Sequence, residues 1–179
     1  NGTLTLASVS GLTFTSGANG AAAMTFTGIV ADINAALDGL SYLGSADFNG
    51  GDTLSITTND LGASGAGGAL SDSDSVAITV LAVNDTPTIA NAIPDQNATE
   101  DGPFTFQFAA NTFAEVDAGD SLTYTASGVP AWLSFNAATR TFSGTPANAD
   151  VGSYTITVRA TDLSAAFVED QFDVSVANT

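Results

Sequence analysis

Sixteen aspartates and three glutamates stand against two arginines in this chain, and that surplus suits one chemistry above others, the binding of hard cations. The glutamates are Glu100, Glu115 and Glu169, and the cations are Arg140 and Arg159. Asp is both a turn former and a short oxygen ligand for Ca²⁺, and Gly, Asn and Thr surround many of the aspartates. Ca²⁺ takes about six to eight oxygens, so a site built from scattered residues needs them to converge in space. No EF-hand loop is present, because Asp72-x-Asp74 is not followed by the rest of that pattern. Asp72 and Asp74 read as a solvated turn, and Glu169, Asp170 and Asp173 as solvent-facing.

The same composition excludes other chemistries. With no His and no Cys, zinc sites of the usual kind, thiol chemistry and His-based triads are absent. A formal net charge of −17 argues against a nucleic-acid partner, which must be met with cations. A carboxylate-only enzyme is formally possible, but about 90 residues per domain leave little room for a cleft, so the chain reads as a non-enzyme. Hydrophobic residues make up 44% of the sequence, which marks a folded protein, yet no apolar run reaches the length of a membrane span. Residues 1–10 read as a strand rather than as a leader.

The elements that must position the carboxylates follow from a hydrophobic period close to 2. Thr3 to Leu6, Leu12 to Thr15 and Met24 to Thr27 alternate apolar residues with threonine. Further strands are expected at 53–58, 75–83, 104–109, 121–127, 140–143, 153–161 and 167–177. Turn signals separate them at Ser16 to Gly20, Asn49 to Asp52 and Gly62 to Gly68. Val30 to Leu40 breaks the pattern. Ile33, Leu37 and Leu40 stand at helical spacing, Asp32 suits a first turn and Gly39 a C-terminal cap, so residues 31–38 are predicted helical with Ile33 and Leu37 facing a core. Trp132, in Pro130 to Phe135, reads as a core residue of a strand and not as a sugar platform. The order strand, Asp, loop, strand occurs twice, around Asp60 and around Asp162, as a weak internal repeat. Asn84-Asp85-Thr86-Pro87 ends the first copy, because Pro87 cannot donate to a ladder and drives Thr86 into an extended conformation. The fold class expected is all-β, with two tandem β-sandwich domains of immunoglobulin-like, cadherin-like type and one short helix in the first.

Several motifs carry a family resemblance. Ala98 to Phe104 (Ala-Thr-Glu-Asp-Gly-Pro-Phe), Phe113 to Tyr124 (Phe-Ala-Glu-Val-Asp-Ala-Gly-Asp-Ser-Leu-Thr-Tyr), Pro130 to Phe135, Thr141 to Pro146 and Tyr154 to Asp162 together resemble a dystroglycan-type cadherin-like domain over residues 87–179. Asn34 to Tyr42, Ser55 to Asp60 and Val83 to Pro87 resemble the C-terminal part of a preceding repeat of large bacterial adhesins, over residues 1–86. Such repeats open with a segment like Thr99 to Pro103, and none precedes Asn1, so the first domain is expected to lack its opening strands, as a fragment or as a domain completed by a neighbouring chain.

The resemblance implies Ca²⁺ held between successive domains. Its ligands map to Asp47 and Asn49 before strand 53–58, to Asn84 and Asp85 in the linker, and to Asp117, Asp120 and Asp162 in the second domain. The spacing Asp117-Ala-Gly-Asp120 departs from the usual cadherin Asp-x-Asp. Glu100, Asp101 and Asp150 map to the far end of domain two. The function implied is a structural or adhesive segment of a long extracellular, cell-surface protein or filament of bacteria, stiffened by Ca²⁺. Its partners would be neighbouring repeats or copies of itself, with no membrane insertion. The alternative is a module in domain two that binds carbohydrate or protein.

Overall fold

The computed structural model describes residues 1–63 and 67–179, so the middle of the Gly62 to Gly68 turn signal lies outside the described residues. The chain divides into two compact units, Asn1–Val83 and Asn84–Thr179.

In the first unit the strands are β1 (Gly2–Thr5), β2 (Thr13–Ser16), β3 (Thr25–Thr27), β4 (Ser41–Gly44), β5 (Gly50–Asn59) and β6 (Ser71–Val80). They form three antiparallel pairs, β1 with β4, β2 with β3 and β5 with β6. Helix α1 (Val30–Leu37) lies one residue upstream of its predicted position. Asp32 is in its first turn, and Gly39, just past the Asp38 cap, has φ +93°, a conformation that glycine adopts without strain. Ala36 is buried, while Ile33 and Leu37 are half-buried. Strand β6 differs from expectation at both ends. It starts at Ser71 and stops at Val80, because β5 offers ten residues of pairing that include Thr58 opposite Asp72 and Ile56 opposite Asp74. Asp72 and Asp74 are thus exposed strand residues and not a turn.

The second unit contains β7 (Thr88–Ile89), β8 (Gln96–Thr99), β9 (Phe104–Gln107), β10 (Phe113–Ala114), β11 (Thr123–Ser127), β12 (Leu133–Asn136), β13 (Thr141–Gly144), β14 (Gly152–Thr161) and β15 (Phe167–Ala177). A four-stranded sheet, ordered β11-β14-β15-β8, packs on a three-stranded one, β12-β13-β9, with β7 and β10 as a short extra pair. The period of 2 explains the core. On β14 Ile156, Val158 and Ala160 point inward and are fully buried; on β15 Phe172, Val174 and Val176 do the same. Phe142 is stacked on Phe135 at 4.5 Å and meets Phe172 edge-on at 5.5 Å, which ties the two sheets together. Trp132 packs edge-on against Phe104 and Tyr154, so it belongs to the core as expected.

Asp170 corrects the sequence reading. It shares the even-numbered face of β15 with Phe172 and Val174, and it is buried. Its carboxylate accepts from the N–H of Ile93 at 2.6 Å and of Gln171 at 3.0 Å, which makes burial tolerable. Glu169 points the other way, to Arg159, and Asp173 accepts from the Thr155 hydroxyl.

The first unit also carries a titrating carboxylate, Asp52. Its Oδ2 lies 3.0 Å from the Asn1 ammonium and accepts from the Tyr42 hydroxyl at 2.9 Å, and its Oδ1 accepts from the Thr53 N–H. The Asn1 ammonium first, then the Tyr42 hydroxyl and the Thr53 amide, hold this carboxyl below the usual aspartate range. A carboxyl held low by folding contributes stability above its unfolded pKa and loses it as pH falls through the depressed value. Asp52→Asn should therefore lower the melting temperature of the first unit at neutral pH, with the difference from wild type closing toward strongly acid pH in calorimetric scans. In the second unit Phe142→Ala should cost about 3–5 kcal/mol, because the ring is fully buried between two sheets; denaturant titration reads this as a lower midpoint for that unit.

Candidate metal centre

The twice-occurring order strand, Asp, loop, strand is a long hairpin in each unit, β5–β6 and β14–β15. At each mouth the aspartate closes the loop with its own carboxylate. Asp60 Oδ1 accepts from the N–H of Gly62 and Leu70, and Asp162 Oδ1 accepts from the N–H of Ala166 at 2.8 Å. Loop closure uses only one oxygen of Asp162, a buried residue. The other, Oδ2, accepts from Asn84 Nδ2 at 2.9 Å.

Two further carboxylates come to the same end of the second unit from the segment that joins β10 to β11. Glu115 directly follows β10 and is half-buried; its Oε1 accepts from the N–H of Val116 and Asp117 at 2.8 and 2.9 Å. Asp120 Oδ1 accepts from the N–H of Ser121 and, at 3.1 Å, from that of Leu163 in the β14–β15 loop. One carboxylate oxygen from each of Glu115, Asp120 and Asp162 lies within 4.8 Å of the other two. Asp117 faces the entering chain, where its Oδ2 accepts from the Asp85 N–H at 2.8 Å.

The structure thus brings five of the expected residues into one network, Asn84, Asp85, Asp117, Asp120 and Asp162. Asn84 and Asp85 are exposed, whereas Asp162 is buried. Asp47 and Asn49 stand in the first unit, exposed on the connection from β4 to β5, with Asp47 at φ +58°. Glu115 is the residue that sequence reasoning missed. Its signal was the spacing Glu115-Val-Asp117, which supplies the acid-x-acid pattern that Asp117-Ala-Gly-Asp120 lacks. At the far end, Glu100 is buried and accepts from the N–H and hydroxyl of Thr179.

The donor set fits a hard divalent cation. Glu115 Oε2 is a buried oxygen without a hydrogen-bond partner, beside two other carboxylates. Desolvating a carboxylate oxygen with no partner is costly, and a cation bridging the three groups removes that cost and their mutual repulsion. Arg159 is occupied by Glu169 and lies over the Phe167 ring, and among the described residues Arg140 forms no ion pair. Carboxylate and amide oxygens, with no nitrogen or sulfur donors, select Ca²⁺ over zinc or copper.

Comparison with known proteins agrees with this architecture. The solved extracellular cadherin domains 1–4 of protocadherin gamma B7 are similar in fold, with a TM-score of 0.56 at 20% identity, over 78% of this chain and 36% of that one. Domains 1–5 of protocadherin gamma B2 give a TM-score of 0.55 at 17% identity, over 97% and 32%. A structure described as a protocadherin gammaB7 EC3–6 cis-dimer gives 0.54 at 18%, over 98% and 41%. The chain therefore spans 32% to 41% of the length of these structures. No curated protein matches the chain. In the first unit, residues 3–65 match the family model described as Protein GAMETE EXPRESSED 2 domain. Residues 86–177, more than half of the chain, match the model of the family described as Putative Ig domain, and the chain belongs to that family.

Proposed function

We propose that this chain is a structural or adhesive segment of an extracellular protein of bacterial-surface type, and that Ca²⁺ fastens the entry to its second unit. In this reading residues 1–86 are the later part of one cadherin-like repeat and residues 87–179 a dystroglycan-type cadherin-like domain. The observation that carries the proposal is the convergence of Glu115, Asp120 and Asp162, one of which, Glu115, has a buried oxygen without a hydrogen-bond partner. Asn84, which donates its amide to Asp162, and Asp85 and Asp117, bonded to one another, would turn further oxygens toward the ion. Asn84 and Asp85 are the first residues of the second unit. An ion shared between them and the β10–β11 and β14–β15 loops would turn a segment now held by two hydrogen bonds into a fixed strut. The reading is non-enzymatic, with neighbouring repeats of the same protein as partners. Its cation supply is extracellular, where even a weak Ca²⁺ site is well filled.

The test is thermal unfolding with Ca²⁺ and with chelator. For a dissociation constant of about 10⁻⁴ M and roughly 1 mM Ca²⁺, mass action adds about 1.4 kcal/mol, or several degrees for a unit of this size. The gain should vanish in Glu115→Gln and Asp120→Asn, which keep side-chain volume while removing charge. Mg²⁺ should give much less, because it demands a tighter octahedral shell. Equal melting in Ca²⁺ and chelator would leave the carboxylates as loop closures and end the proposal.

A further inference from the structure

The oxygens of the three converging carboxylates divide into two sets. Glu115 Oε1, Asp120 Oδ1 and Asp162 Oδ1 close loops by accepting from backbone amides. The second oxygen of each is left over. Glu115 Oε2 is buried without a partner, and Asp162 Oδ2 meets one group, the Asn84 side-chain amide.

Asn84 meets it with its NH2 end. Nδ2 donates to Asp162 Oδ2 at 2.9 Å and to the main-chain oxygen of Asp85 at 3.1 Å. Both partners are acceptors, so the NH2 has to face them; the carboxamide oxygen in its place would meet two oxygens. In this position the side chain is no ligand. A cation joined to Asp162 Oδ2 would stand against an NH2 group of partial positive charge, so the hydrogen bond and the ion exclude one another. The carboxamide is nearly symmetric in shape, and half a turn about its Cβ–Cγ bond exchanges Nδ2 for Oδ1. That turn removes the donor from Asp162 Oδ2, puts an oxygen in its place and frees the Asp85 main-chain oxygen, all without moving the backbone.

We propose that Asn84 is a two-position latch on the metal centre. This rests on the Ca²⁺ reading above and adds its regulation. Where Ca²⁺ is scarce, the NH2 takes the place of the cation at Asp162 and keeps the entry segment attached to the second unit. Where Ca²⁺ is plentiful, the amide turns over, and one rotation offers the ion two further neutral oxygens, Asn84 Oδ1 and Asp85 O. The latch sets the threshold of the site, because the ion has to displace a charge-assisted hydrogen bond before it gains those ligands.

The test follows the NH2 itself, by nuclear magnetic resonance on the nitrogen-15-labelled full chain. Asn91, whose Nδ2 donates to the Asn111 main-chain oxygen, is the internal reference. Saturating Ca²⁺ should shift the Asn84 NH2 signals and speed their exchange with water about tenfold relative to chelator, while those of Asn91 stay unchanged. Calorimetric titration should show Ca²⁺ bound about tenfold more weakly by Asn84→Leu, which has the branching of asparagine but no oxygen, and about tenfold more tightly by Asn84→Asp, which adds ligand charge. In chelator Asn84→Asp should melt below wild type, since a carboxylate then faces Asp162 without a donor between them. If the unaltered chain neither binds Ca²⁺ nor melts higher in it, the metal reading fails and the latch with it. If the chain binds Ca²⁺ while the Asn84 NH2 signals keep their positions and exchange rates, the metal reading stands and the latch is overturned. Asn84→Leu binding Ca²⁺ as tightly as wild type, or more tightly, overturns it too, because the amide is then a plug or a bystander. The resonance result on the unaltered chain decides even where a variant folds poorly.

Discussion

Nineteen carboxylates share two guanidinium groups, so this fold neutralises its acids mainly with backbone amides. Asp170 takes the N–H of Ile93 and Gln171, Asp162 that of Ala166, Glu115 those of Val116 and Asp117, and Asp120 those of Ser121 and Leu163. Each such bond is charge-assisted, and each pins a connection that would otherwise be loose. In a chain without disulfides and with two ion pairs among its described residues, these carboxylate-to-amide bonds take the place of staples. The arrangement has a limit. An amide carries only a partial positive charge, so when three carboxylates meet, as Glu115, Asp120 and Asp162 do, backbone donors satisfy some oxygens and leave Glu115 Oε2 bare.

How much of this the sequence disclosed depends on the range of the interaction. Strands β14 and β15 were readable almost to the residue, because Ile156, Val158 and Ala160 alternate with Thr155, Thr157 and Arg159 and the pattern is local. The helix was readable for the same reason. Asp170 was misread although the period of 2 places it on the same face as Phe172. Its polarity outweighed its position, and the amide of Ile93 that makes its burial tolerable is 77 residues away. Asp72 and Asp74 were misread in the opposite sense. Their strand exists because β5 extends far enough to pair with it, and serine and aspartate alone have no β preference. The pair Asn84 and Asp162 is 78 residues apart and was reached only through family resemblance, while Glu115 went unassigned.

The two units show what closure requires beyond alternation. Both contain apolar-threonine strands, and both contain a hairpin paired over ten residues. In the second unit the hairpin is flanked by β11 and β8, and the aromatic rings of Phe106, Phe135 and Phe142 from the opposite sheet cover it. In the first unit the hairpin has no flanking strand among the described residues, and Leu6 and Ala36 are the buried apolar side chains. A sandwich gains its stability from area removed from water, at about 25 cal/mol per Å², and an inner face left open forfeits that gain.

The same deficit has two forms in one molecule. Where Glu115, Asp120 and Asp162 meet, their oxygens lie within 4.8 Å of one another and the backbone amides leave Glu115 Oε2 without a partner. Along β5, among the described residues, no strand pairs with one edge, while β6 pairs with the other. Arg159 is committed to Glu169, and β6 already occupies the other edge of β5. A cation that bound only the folded form at the three carboxylates would raise the stability of the second unit by mass action, in step with its concentration.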